Sequence, residues 1–225
     1  MNQLNLVFVL LFLPFFGFAQ EVENRAIRPF SGLKVSQGIE VLLKHGDRES
    51  VKVEANIKLS DVITEVSGDY LKIHLEDGKF RNVSVKVYVT YVRLEKIIAS
   101  SAARVYGEDA VKSDELEISA SSAAEIELEL KVKHLEVKAS SAADIELDGV
   151  AEKVLFDVSS AGEIDAYDLL GKNVTAEASS AGTIKLNVEQ ELEAEASSGA
   201  SIRYRGNPSK SITNSSSGGS VKKSL

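Results

Sequence analysis

The 225-residue sequence contains no cysteine and no tryptophan. Without cysteine there are no disulfides, no thiolate nucleophile, no Cys-based metal site and no lipid-modified cysteine. Without tryptophan, and with Tyr106, Tyr167 and Tyr204 scattered through its later part, the chain offers no platform for tight sugar stacking. A basic balance is missing too. The formal net charge of -8 argues against nucleic acid and anionic membrane surfaces, both of which call for a basic face. Beyond the N-terminus no run is long and apolar enough to span a bilayer as a helix, and no series of lipid-facing strands with aromatic girdles marks a membrane barrel.

The first twenty residues have no charged side chain. An apolar run from Leu6 to Phe18 ends in Gly17-Phe18-Ala19, which reads as a signal peptide over residues 1–19, too short to span a membrane. Met1 to Asn5 supply no Lys or Arg, so the α-amino group is its only positive charge. Cleavage after Ala19 would export a chain beginning at Gln20, to the periplasm, the cell surface or the medium. Such a chain, lacking disulfides, must draw its stability from packing and hydrogen bonds, and about 205 residues suffice for that.

What is present is a repeat. A Ser-Ser-small-small motif begins at Ser100, Ser121, Ser140, Ser159, Ser179, Ser197 and Ser216, at intervals of 21, 19, 19, 20, 18 and 19 residues. Around each copy apolar and polar residues alternate, as in Leu116-Glu117-Ile118-Ser119-Ala120 before one motif and Glu125-Ile126-Glu127-Leu128 after it. Alternation with period two marks a strand buried on one face. Aligned copies give apolar columns: Leu116, Leu135, Val154, Val174 and Leu192; then Ile126, Ile145, Ile164, Ile184 and Ile202. One rung cannot bury such side chains, whereas a pile of rungs makes a continuous core. The expected fold is all-β, a right-handed single-stranded parallel β-helix (a solenoid) with about 19–20 residues per coil. Seven motifs at strand spacing make a stack about 30 Å tall. Small residues suit crowded corners, and the serine hydroxyls are expected to bond along the stack or to local backbone. That structural reading is preferred to a catalytic or ice-like serine face.

Residues 20–99 are less regular but still β. Val51–Glu54, Tyr70–Leu75 and Val83–Val89 alternate, with turns at Gly46-Asp47, Gly68-Asp69 and Asp77-Gly78. They read as opening coils and cap of the same solenoid, with room for a hairpin across its end. Residues 100–225 form the regular repeats, and Ser211 to Leu225 reads as a polar C-terminal cap.

Val35-Ser36-Gln37-Gly38-Ile39-Glu40-Val41 resembles the Gly-Ile-Asn-like element of the head GIN domain of auto-transporter adhesins. Here Glu40 stands in place of the Asn. The Ser-Ser-small-small repeats that follow are similar to that family's own, so the resemblance covers the chain from about Ile27 onward. It implies a β-rich exported domain with a role in surface adhesion. Lacking barrel segments, the chain would not transport itself.

One surface feature could carry chemistry. Outward positions after the motif stack as Arg104, Glu125, Asp144, Glu163 and Thr183, and two residues on as Tyr106, Glu127, Glu146, Asp165 and Lys185. The middle rungs thus present two columns of three carboxylates. Like charges one strand apart repel by roughly 1 kcal/mol per pair in water. Flanking Lys and Arg, raised pKa values or a bound calcium ion would relieve that repulsion. Calcium is the single cofactor the sequence suggests, held by Glu125, Glu127, Asp144, Glu146, Glu163 and Asp165; the plainer reading is a solvated charged face. His45, His74 and His134 lack metal-ligand spacing. Ser31-Gly32-Leu33-Lys34 matches Ser-x-x-Lys without its companion motifs. No catalytic residue is assigned.

The expectation is therefore a non-enzymatic envelope or secreted scaffold with an adhesin-like role. Its partner would be a polysaccharide or another envelope component, with self-association through flat faces or ends as a further option. The alternative is a calcium-dependent polysaccharide-binding or lyase-like protein using the stacked carboxylates.

Overall fold

The structure is a computed structural model describing residues 21–78 and 81–224. The expected signal peptide, residues 1–19, lies outside the described residues. Between Phe30 and Asn207 the sequence has no proline, so nothing there removes a backbone donor from a ladder. The N-terminal third forms β1 (Glu21–Arg25), β2 (Gly32–Val35), β3 (Glu40–His45), β4 (Ser50–Ala55), β5 (Val62–Ser67), β6 (Tyr70–Leu75) and β7 (Val85–Tyr91). The stack continues through β8 (Lys96–Ala99), β9 (Arg104–Gly107), β10 (Val111–Ala120), β11 (Glu125–Ala139), β12 (Asp144–Val158), β13 (Glu163–Ala178) and β14 (Thr183–Ala196). It ends in β15 (Ser201–Gly206), β16 (Lys210–Ser215) and β17 (Ser220–Lys223).

From β8 onward successive coils pair parallel and in register, giving a parallel β-solenoid of about 19 residues per coil. Ile126, Ile145, Ile164, Ile184 and Ile202 meet as Cα partners on successive rungs and are fully buried. Leu135, Val154, Val174 and Leu192 form the second expected column. Unequal intervals do not break these columns. Register shifts between Glu146 and Asp148, and between Ala166 and Leu170, absorb the odd residues away from the corners, as bulges do.

Each motif is a tight corner. Its second and third residues have positive φ, for example 54° and 59° at Ser122 and Ala123. The fourth is buried, as at Ala124 and Ala143. The third residue's N–H donates to the second serine's carbonyl on the next rung: Ala123 N to Ser141 O is 3.0 Å, and Ala142 N to Ser160 O is 3.1 Å. This differs from the expected serine ladder. Among the described residues no motif serine hydroxyl makes a side-chain hydrogen bond, because backbone groups already satisfy the bend.

A second, softer bend lies opposite. Burial alternates along β11 until two consecutive residues, Lys133 and His134, both face outward, after which the phase resumes at Leu135. Glu152-Lys153 repeats this break on β12. Each coil is thus two flanks, one leaving the tight corner and one returning to it.

In the N-terminal third, space and sequence part company. The rung β2–β3 lies between β6–β7 on one side and β8–β9 on the other, with all pairings parallel. Antiparallel pairs β4–β7, β1–β4 and β5–β6 then cover the end. The turn joining β2 to β3 is itself a corner of the stack. Gln37 and Gly38 have positive φ of 63° and 69°, and Gly38 N donates to Ser101 O at 2.9 Å. At the other end β16 and β17 continue the coil, with a regular corner at Ser217 and Gly218.

Candidate functional site

The strict pleat holds outward residues in straight columns along the stack, so the six candidate carboxylates stand where their spacing placed them. Glu125, Asp144 and Glu163 are register partners on β11, β12 and β13, as are Glu127, Glu146 and Asp165. Cations close the two ends. Arg104 Nε lies 3.1 Å from Glu125 Oε2, and the Tyr106 hydroxyl donates to Glu125 Oε1 at 3.0 Å. At the far end Lys185 Nζ sits 2.8 Å from Glu163 and 2.9 Å from Asp165. Those two carboxylates hold the Lys185 ammonium well above the ordinary lysine range, while burial and then Glu125 push the Tyr106 phenol up to about 12.

The middle rung keeps the strain. Desolvation, then Glu163 and Glu125, raises the Asp144 carboxyl; desolvation, then Glu127 and Asp165, raises that of Glu146. The six groups are arrayed along a sheet face. Among the described residues no group of three or more His, Cys, Asp or Glu side chains is placed to hold a metal ion. The histidines are scattered: His45 packs edge-on against Tyr91 at 5.7 Å, and His74 Nδ1 lies 2.9 Å from the Leu75 carbonyl.

A second feature lies on the other flank and was not anticipated. Beside the soft bend runs a groove of about 720 Å³, parallel to the stack axis. One wall is the column Glu115, His134, Lys153, Asn173, Glu191 and Lys210. The other is the column of Glu117, Glu136, Leu155, Thr175, Glu193 and Ile212, and Leu135, Val154, Val174 and Leu192 form the floor. Leu155 is 37% exposed and Ile212 45%. From the rung of Glu95 to that of Lys210 the groove crosses seven rungs, about 29 Å at strand spacing. Its volume over that length leaves a mean cross-section of about 25 Å², less than the roughly 4.8 by 10 Å one extended polypeptide fills in stacked sheets. One polymer chain, partly sunk, fits; a compact ligand would leave most of it empty. The sequence signal was the pair of adjacent polar residues at each soft bend, Lys133-His134 and Glu152-Lys153, interrupting the alternation.

Several ion pairs run along the groove. Lys96 pairs with Glu117 and Lys138 with Glu136, each at 2.5 Å, and Lys210 lies 3.6 Å from Glu191. Lys153 and Glu193 take part in no ion pair among the described residues. A shallower groove on the far side of the bend exposes Val150 and Leu170.

Residues 29–208 match the sequence family described as "Putative auto-transporter adhesin, head GIN domain". No curated protein matches the chain. Three solved structures share the fold. The "putative adhesin" from Bacteroides fragilis NCTC 9343 has a TM-score of 0.84 at 18% identity, covering 92% of this chain and 97% of its own. The "putative adhesin" from Parabacteroides merdae ATCC 43184 gives 0.75 at 18% identity, covering 92% and 96%. The "putative lipid binding protein" from Parabacteroides distasonis ATCC 8503 gives 0.72 at 21% identity, covering 92% and 97%.

Proposed function

Because this chain belongs to the head GIN domain family of auto-transporter adhesins, we propose that it is an exported, non-enzymatic, adhesin-like scaffold holding an extended surface polymer along its axial groove. The groove itself carries this reading. It is long, one chain wide, and built from side chains held at fixed height by a closely packed core that, among the described residues, buries no polar or charged residue. Such rigidity lowers the ordering cost of binding. Repetition of the same contacts from rung to rung suits a repeating ligand.

The test is adhesion without turnover. Beads coated with the exported chain should retain envelope polymer from bacterial cells, and polysaccharide solutions mixed with it should keep their viscosity. Viscosity that falls, and falls no further once a chelator is added, would mark a metal-dependent lyase and defeat the non-enzymatic reading.

The acidic columns support a second reading, since Asp144 and Glu146 take part in no ion pair among the described residues, and desolvation and neighbouring carboxylates raise the pKa of both. On that reading calcium is taken up between rungs. It predicts a melting temperature that rises in millimolar calcium, falls with chelator, and no longer responds in the Asp144→Ala/Glu146→Ala variant. An unchanged melting temperature leaves the columns as a solvated face.

A further inference from the structure

Resting on that reading, we propose that the occupant of the groove is an uncharged polysaccharide, laid along the stack axis with its sugar rings stepping from rung to rung. Three observations lead there. The first is direction. The groove crosses the strands at right angles, and the backbone of each rung it crosses is paired to the next, as Leu135 with Val154 and Val154 with Val174. An extended peptide normally gains affinity by adding its main chain to an open strand edge, and the groove walls offer none. Recognition must come from side chains.

The second is the chemistry of those side chains. On three successive rungs Lys153 donates, Asn173 and Thr175 both donate and accept, and Glu193 accepts, above a floor that includes Val154 and Val174. A polymer of hydroxyl groups, each donor and acceptor at once, matches such a mixed set, and the apolar faces of its rings can rest on Leu155 and the floor. A pyranose linked end to end advances by about the spacing of one rung, so successive rings meet equivalent wall positions.

The third is charge. Of the six carboxylates lining the groove, Glu95, Glu117, Glu136 and Glu191 are paired with Arg93, Lys96, Lys138 and Lys210, which leaves Glu115 and Glu193 against Lys153. Glu115 towards one end and Glu193 towards the other repel a polyanion, whereas an uncharged chain passes between them. With no Phe, Tyr or Trp in the lining, each rung contributes weakly, and affinity grows with chain length until the groove is filled.

Affinity electrophoresis of the full-length chain purified after export tests this. Hydroxyethyl cellulose and mannan serve as neutral probes, polygalacturonate as the anionic one and polylysine as a polypeptide. The chain has no native cysteine, so Thr175→Cys provides a single thiol in the groove and Thr183→Cys one on the opposite flank. A neutral polysaccharide should slow migration at least two-fold and polygalacturonate should not. A bulky maleimide on Thr175→Cys should abolish the effect, while the same label on Thr183→Cys leaves it intact. Equal retardation by polygalacturonate, or retardation that survives labelling at Thr175→Cys, overturns the proposal. If only polylysine binds, and the Thr175→Cys label blocks it, the polysaccharide falls while the groove remains a polymer site. If that label changes no binding to any of these polymers, the groove reading fails with it.

Discussion

The regular coils after Lys96 and the rungs before it use the same corner yet order their strands differently. In the regular part each coil lies on the one before it, so sequence neighbours are spatial neighbours. Before it, the chain builds β2–β3, leaves to form the antiparallel cover of β4 and β5, lays β6–β7 outside β2–β3, and returns to place β8–β9 inside. The corner at Gln37-Gly38 therefore bonds to Ser101, 64 residues on, as Ala123 bonds to Ser141 one coil on. Coil adjacency is a property of strand pairing; a constant period is one way to reach it. The outer rungs also end the stack, since antiparallel strands laid over the last parallel rung blunt an edge that would otherwise template association.

The largest effect separates two glycines, one from each region. Gly149 in the regular stack has φ +106°, and a Cβ there would meet the Leu130 carbonyl oxygen at 2.1 Å. Gly149→Ala should cost about 3 kcal/mol or more, a clash with backbone that neighbouring rungs cannot relieve. Gly38→Ala has nothing within 4 Å of its new Cβ, and Ala occupies the equivalent place at Ala102 with φ 60°. It should lose no more than about 1 kcal/mol. Urea midpoints compare the two, and a Gly38→Ala loss as large as that of Gly149→Ala would break the equivalence of the corners.

A smaller effect of opposite sign lies in the outer rungs. The Tyr91 hydroxyl is buried, has no hydrogen-bond partner among the described residues, and burial pushes its pKa up to about 12. The regular coils bury no such group. Tyr91→Phe should stabilise by about 1 kcal/mol, raising the melting temperature by about 2–4 °C. A drop would show that the hydroxyl is satisfied in solution.

The smallest effect belongs to the acidic middle rung. The folded pKa of Asp144 lies above its ordinary 3.8, so the folded state holds its proton more tightly than the unfolded state does. Stability then falls as pH rises through the ordinary value and on through the raised one, and the loss is complete at neutral pH. Asp144→Asn should stabilise the chain at pH 7 by about 0.5 kcal/mol, the scale of like charges facing across strands, and leave it unchanged near pH 3. Thermal melts at both pH values check this; a gain that persists at pH 3 would assign the effect to packing.

How much could be read in advance differs along the molecule. The isoleucine column from Ile126 to Ile202 was legible because every copy recurs at nearly the same interval, and alternation decides which side chain faces inward. The acidic columns were legible for the same reason. That Gln37-Gly38 belongs with the serine corners was not, since 64 residues hide a repeat of about 19. Nor was the groove, because its depth depends on how far the side chains of two neighbouring outward columns stand above the floor between them.

By itself the amino-acid sequence determined the coil, its register and the columns on each face, since these follow from period-two burial and a tight corner repeated at near-constant spacing. Tertiary structure alone decided the order of the first rungs and the groove. Those depend on which strands pair and on how far neighbouring outward columns stand above the floor between them, and neither is encoded within the span of a single coil.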